Sequence, residues 1–300
     1  MRERFDRLQQ QARDRFAAGE LRRAVELFAE SEELALSNDR QDLADRAFCN
    51  RCAVLIELEE GHDQIPALKQ VLLRSSDPKT RYLASYYTAE AFRGDEDWER
   101  ALTYARRASE LADQLDEAPA HAAVANLLGT VAMRSCSYQE AEQAFERALD
   151  CYNGATGYRR LMEAQVRDNL GYVRMCNGRL AEGLRLCEEA RLSFERLEAE
   201  HYLYETLQDL CYGYILDDRL DRAVECGELA LELAIEHSDA LIAKNCLFLL
   251  SEIAVRQGDS FRARRYLREL IAHYPDVGLS EEIIDVFLAT DLTAVVNLRG

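Results

Sequence analysis

The stretch Ala122–Asp150, AAVANLLGTVAMRSCSYQEAEQAFERALD, reads as two helices. Leu128 and Gly129 fall in the first, Tyr138 at the turn, and Ala141, Phe145 and Ala148 in the second. The same order recurs along the chain. Its first small or compact position is found at Ala12, Val54, Ala89, Gly129, Gly171, Cys211 and Ser251, at intervals of 35 to 42 residues. Twelve residues after each stand Ala24, Pro66, Ala101, Ala141, Gly183, Ala223 and Ala263, and nineteen after each stand Ser31, Leu73, Ala108, Ala148, Ala190, Ala230 and Leu270. Turns keep step as well. Seven residues after the first slot come Gly19, Gly61, Glu96, Cys136, Gly178, Asp218 and Gly258, where glycine suits a left-handed residue that closes a helix. Two positions further, Leu21, Trp98, Tyr138, Leu180 and Leu220 supply bulk that pins the turn to the core.

Breakers fall where this register needs them. Pro78, Pro119 and Pro275 lie between repeats or after the last one, and Gly154 and Gly157 separate two units. Pro66 departs from the small-residue pattern. It fits if Asp63 is the cap and Pro66 lies in the first turn, where its missing N–H has no intrahelical partner. After Pro275 the pattern changes: Ser280 is a cap, Glu281 and Glu282 occupy the first turn, and Ile283, Ile284, Val286, Phe287 and Leu288 form an apolar stripe. A final helix there closes the exposed end of the array; the rival role for its stripe is to dock a second copy, giving a homodimer, or a partner.

The paired small residues, the bulky turn residue and the larger apolar residues between helices resemble the tetratricopeptide-repeat (TPR) motif. The resemblance covers roughly residues 5–275. It implies an all-α fold, a right-handed α-solenoid of about seven TPR-like helix pairs with a C-terminal capping helix, organised as an array over residues 1–278 and a capping or docking helix over 279–300. A pitch near 40 exceeds the usual 34 of the family. In this the chain resembles the long-repeat TPR subfamily of bacterial peptide-sensing regulators, kinesin light chains and cell-polarity adaptors.

Composition supports a folded helical chain and narrows its partners. Hydrophobic residues make up 48%, with only 4 Pro and 14 Gly. The 37 Lys and Arg stand against 55 Asp and Glu, a net charge of −18 that repels phosphate backbones and anionic membranes, so neither nucleic acid nor membrane is expected as a partner. The first residues, MRERFDRLQQQARDRF, lack an apolar core of secretory length, and no segment reaches about 18 uncharged apolar residues. A cytoplasmic protein is expected. Nine cysteines, scattered among helical apolar residues, fit reduced, buried thiols better than a disulfide framework.

Catalytic patterns are missing from the sequence. It holds no Gly-rich phosphate loop, no H-E-x-x-H and no G-x-S-x-G. Cys49 and Cys52 form a C-x-x-C on one helical face, but a structural zinc site needs four ligands and no second pair is present. No metal, cofactor or enzymatic activity is expected. Arg262, Arg264, Arg265 and Arg268 form the densest basic cluster, read as an outer helical face balanced by nearby carboxylates or as a patch for an acidic partner segment.

The resemblance also places a binding face, because in TPR proteins the first helix of each pair lines a concave groove. Its slots correspond here to Tyr86, Glu90, Arg93, Asn126, Thr130, Arg134, Asp168, Tyr172, Gln208, Tyr212, Asn245 and Arg256, with Arg13, Arg51 and Glu252 at flanking repeats. Tyr rings contribute contact area at low entropic cost, and amides bond an extended main chain. Arg93 and Arg134 would meet a ligand carboxylate, although the fuller Lys, Asn and Arg set of the family's peptide-carboxylate clamp is not present. The implied function is a non-catalytic adaptor or scaffold that binds a protein or peptide in the groove. The alternative is a regulatory sensor whose superhelix changes shape on binding a peptide or small ligand.

Overall fold

A computed structural model describes residues 1–115, 117–152, 158–274, 281–290 and 298–299. Among them the regular structure is all α. Seven helix pairs follow one another: α1 (Arg2–Ala17) and α2 (Leu21–Leu36), α3 (Gln41–Glu57) and α4 (Ile65–Arg74), α5 (Pro78–Gly94) and α6 (Trp98–Leu115), α7 (Ala118–Arg134) and α8 (Tyr138–Tyr152), α9 (Tyr158–Cys176) and α10 (Leu180–Leu197), α11 (Glu200–Leu216) and α12 (Leu220–Glu236), α13 (Ala240–Arg256) and α14 (Ser260–Ala272). A last helix, α15 (Glu281–Ala289), lies against α14, with Ile284 buried and Asp285 paired to Arg264 at 2.5 Å. Ser280, Pro275, Gly154 and Gly157 lie outside the described residues. No described helix is long and apolar enough to cross a membrane.

The chain divides into two compact units, Met1–Val131 and Ala132–Gly300. In the first, Leu8, Ala12, Ala24, Leu27, Phe28 and Val54 form one core cluster, while Phe92, Ala101, Ala105, Leu127 and Val131 belong to another. In the second, Ala164, Ala190 and Phe194 pack together, and Phe145, Leu210 and Ile215 are fully enclosed. Each large apolar side chain so buried contributes about 1.5–3 kcal/mol relative to exposure.

The small slots of α9 and α10 lie at a close helix crossing. A Cβ on Gly183 would lie 2.6 Å from the Gly171 carbonyl oxygen, and one on Gly171 would lie 2.9 Å from the Gly183 carbonyl oxygen. Glycine at both positions therefore lets α9 and α10 cross backbone to backbone. The turns follow the expected offset at Gly19, Glu96, Cys136, Gly178, Asp218 and Gly258, all with φ between 56° and 79°.

The second pair departs from the register. Pro66 is exposed and Leu73 is 79% exposed, so neither is the inward residue that equal spacing predicts. Gly61 is right-handed at φ −68°, and the left-handed residue is Glu59 instead. The cause is a connection of seven residues between α3 and α4, part of it a 3-10 turn at His62–Gln64, where six other pairs use three. α3 ends two residues early and α4 starts two late, which moves the inward position to Leu68, fully buried. Pro66 does lie in the first turn of α4, but Gln64 rather than Asp63 is the cap.

Candidate functional site

Within the second unit, the first helices of successive pairs, α9, α11 and α13, lie side by side. A spacing of four residues puts Asp168 and Tyr172 on one face of α9, and Glu205 with Asp209, and Gln208 with Tyr212, on one face of α11. Asn245 joins them from α13, donating to the Gln208 side-chain oxygen at 2.9 Å. The rings of Tyr172 and Tyr212 stand 6.2 Å apart, and that of Tyr138 stands 6.4 Å from Tyr172.

Two residues distant in sequence complete this face. The Leu298 N–H donates to the Tyr172 hydroxyl at 3.2 Å, and Asn245 donates to the Leu298 carbonyl at 3.0 Å. Arg299 then enters an acidic pocket. Its Nη2 donates to Asp168 Oδ2 at 2.6 Å and to Asp209 Oδ2 at 2.5 Å, its Nε donates to both Asp209 oxygens at 3.1 and 3.3 Å, and its Nη1 donates to Glu205. The Tyr172 ring centroid lies 5.8 Å from its Cζ.

Electrostatics here are those of a dry site with too many acids for one cation. Burial raises the carboxyl of Asp168 to about 7 and that of Asp209 to about 6; Arg299 opposes the rise, and the neighbouring carboxylates add to it for Asp168. Burial alone would weaken the proton affinity of Arg299, but Asp209, Glu205 and Asp168 reverse that and hold it charged. Asp168, Cys187 and Asp209 also offer ligand atoms within 4.8 Å of one another. In this arrangement the guanidinium is the cation among them, while the Cys187 thiol donates to the Asp168 main-chain carbonyl at 3.7 Å. Burial pushes that thiol up, which removes it from thiolate chemistry near neutral pH.

Residues 82–154 match the tetratricopeptide-repeat family. Three solved structures show the same fold over nearly the whole chain. Apo RapI is 12% identical, with 98% of this chain and 85% of that one covered and a TM-score of 0.69. The apo quorum sensor NprR from B. thuringiensis is 13% identical, covering 96% and 80%, with a TM-score of 0.70. PH0952 from Pyrococcus horikoshii, a signal transduction ATPase with a tetratricopeptide-repeat sensor, is 15% identical, covering 94% of this chain and 43% of that one, with a TM-score of 0.65. The matched stretch spans the pairs α5–α6 and α7–α8, and the chain as a whole shares the fold of these structures. Comparison with curated proteins gave no significant match.

The TPR slots fall into separate groups. Asp168, Tyr172, Gln208, Tyr212 and Asn245 are brought together around Leu298 and Arg299. Arg256, at the end of α13, instead donates to the Ile215 carbonyl at 3.3 Å. Arg134 is half-buried in the last turn of α7. In the first unit, Tyr86 stacks on Tyr82 with centroids 5.9 Å apart, and Glu90 accepts from Arg93 at 2.7 Å, so Arg93 already has a carboxylate partner. Thr130 returns its hydroxyl to the Asn126 carbonyl, and the Asn126 side-chain oxygen is buried with no hydrogen bond among the described residues. Arg51 pairs with Glu32 at 2.9 Å, and Arg13 donates to Gln10. The basic cluster of α14 is balanced in the same way: Arg262 pairs with Glu228, Arg264 with Asp285 and Arg265 with Glu269.

Sequence reading does not single out Glu205, Asp209, Leu298 or Arg299. Glu205 and Asp209 share a helical face with the slot residues, which is a usable signal. Arg299 has none, because 131 residues separate it from Asp168.

Proposed function

We propose that this chain is a non-catalytic adaptor or scaffold that holds a segment of protein or peptide in the groove lined by α9, α11 and α13. The observation that carries this reading is the main-chain capture of Leu298 between Tyr172 and Asn245. Bonds to a peptide N–H and C=O recognise polypeptide of any sequence, and the Gln208 side-chain oxygen, by accepting from Asn245, holds the Asn245 amide where it donates to the Leu298 carbonyl. The TPR fold supports a repeat-based binding role.

A second reading, a regulatory sensor, is favoured by the occupancy of the groove by the chain's own residues, since an incoming ligand displaces them and alters the packing of three helix pairs. The likeness in fold to NprR, described as a quorum sensor, supports it. Small rotations between repeats add along an array, so a ligand-induced change in radius of gyration distinguishes the sensor from a rigid adaptor.

The groove itself is tested with a displayed random peptide library panned against the full chain carrying Arg299→Ala. The expected result is enriched peptides whose affinity falls about tenfold, 1.4 kcal/mol, when Asn245→Ala is added. No enrichment, or binders indifferent to Asn245→Ala, overturns the reading.

A further inference from the structure

Recognition of peptide backbone does not require the pocket that holds Arg299. Its guanidinium is 4% exposed and is shared by three carboxylates from two helices. Asp209 is met side-on by Nε and Nη2, Asp168 takes a second bond from Nη2, and Glu205 receives the other arm. A planar fork with donors along both edges fits this set. A lysine ammonium is a point charge on a flexible stem; it cannot span the three acids and leaves carboxylates unpaired in a dry site. The charge balance agrees, since one cation faces three acids. Asp168 Oδ1, also buried, accepts no hydrogen bond among the described residues, so even with the guanidinium in place the pocket has acceptor capacity to spare, and a cation with fewer fixed donors leaves more of it unmet. Leu298, which precedes the arginine, is itself 2% exposed.

We propose that the pocket of Asp168, Glu205 and Asp209 is a receptor for an arginine that follows an aliphatic residue in a partner polypeptide, and that Leu298–Arg299 hold it as the chain's own competing segment. This rests on the reading of the groove as a peptide site and adds the side chain it selects. A partner gains access only by displacing Arg299, so the resident segment sets a threshold on affinity: the apparent dissociation constant rises by the factor with which the closed form outweighs the open one.

The probe is the peptide AVVNLRG, blocked at both ends and labelled, titrated by fluorescence anisotropy into the full chain carrying Arg299→Ala, with circular dichroism confirming the helical fold. Arg299→Gln, which keeps a hydrogen-bonding amide in the pocket, serves as a second open variant should the alanine variant unfold. The arginine peptide is expected to bind the open variants at least tenfold more tightly than the wild type. Replacing its arginine by lysine or citrulline is expected to weaken binding at least tenfold, as is adding Asp209→Asn to the protein. Equal binding of arginine and lysine peptides overturns the arginine pocket, and equal binding to wild type and open variants overturns the competing segment. Absence of AVVNLRG binding to a variant that still enriches library peptides through Asn245 removes this proposal while the groove reading stands. Absence of both removes the two together.

Discussion

Asp168 and Asp209 are carboxyls held where water cannot solvate their charge. That burial raises them, Arg299 opposes the rise, Glu205 adds to it for both and Asp209 for Asp168, and the Gln208 amide lowers Asp209. The groups packed around them from the other elements are Tyr172 and Cys176 on α9, Cys187 on α10 and Cys246 on α13. Folding raises both above the ordinary 3.8, so between about pH 4 and pH 7 the folded chain binds more protons than the unfolded one. This contribution to stability is full below pH 4 and is lost as pH rises through 6 and 7. Asp168→Asn removes one of the titrating groups. Its urea midpoint is expected to gain on that of the wild type between pH 5 and pH 8, and parallel curves would show that the carboxyl titrates normally. Backbone conformation is also decided one residue at a time. Glu96, exposed at the end of α5, adopts φ 58° where Gly178 has 79° in the equivalent turn. A side chain costs about 1–2 kcal/mol in the left-handed region, offset in part by the greater chain entropy of glycine. Glu96→Gly is therefore expected to stabilise by about 1 kcal/mol and Gly178→Ala to destabilise by a similar amount, read from chemical denaturation. Three of the left-handed turn residues, Gly19, Gly178 and Gly258, are visible in the sequence as glycines, and Glu96, Cys136 and Asp218 are found only by their offset, because the turn geometry is imposed by the helices on either side; Gly61 misleads, since Glu59 takes the left-handed position in its turn.

At the scale of helices, the pair α9 and α10 shows why small slots recur. With Gly171 and Gly183 facing each other, a methyl group on either meets backbone carbonyl oxygen, which cannot swing aside as a side chain does. Gly183→Ala is expected to destabilise by about 3 kcal/mol, the upper range of overpacking costs, whereas a change of under 0.5 kcal/mol in urea unfolding would mean that the helices slide apart freely. The positions of six pairs are legible because each has a three-residue turn, so that one ruler measures them all. The α3–α4 pair is not legible by that ruler. Its connection is longer, and nothing in the periodicity before Ile65 announces that the phase has shifted by two residues; only Leu68 and Leu72, buried one helical turn apart, reveal it. The five groove residues that converge were readable for the same reason as the slots. They sit three residues before, or one after, a small position on α9 and α11, or six before it on α13, and helix geometry turns such offsets into a shared face.

Across the whole molecule, which carries a net charge of −18, the described residues form surface ion pairs, among them Arg4 with Glu30 at 2.9 Å and Lys79 with Glu117 at 2.9 Å, and bury Arg299 among carboxylates. Exposed pairs contribute at most about 1 kcal/mol each. The buried set around Arg299 differs in kind, because removing its one cation leaves three acids without a counter-charge. The sequence by itself determined the all-α class and the succession of helix pairs, since these depend on local periodicity and on residue size. The tertiary structure alone decided that Asp168, Glu205 and Asp209 gather on α9 and α11 and that Leu298 and Arg299 lie against them. Those contacts join residues 53 to 131 positions apart, and a single arginine among 37 basic residues, or a pair of acids among 55, carries no mark of its partner until the chain has folded.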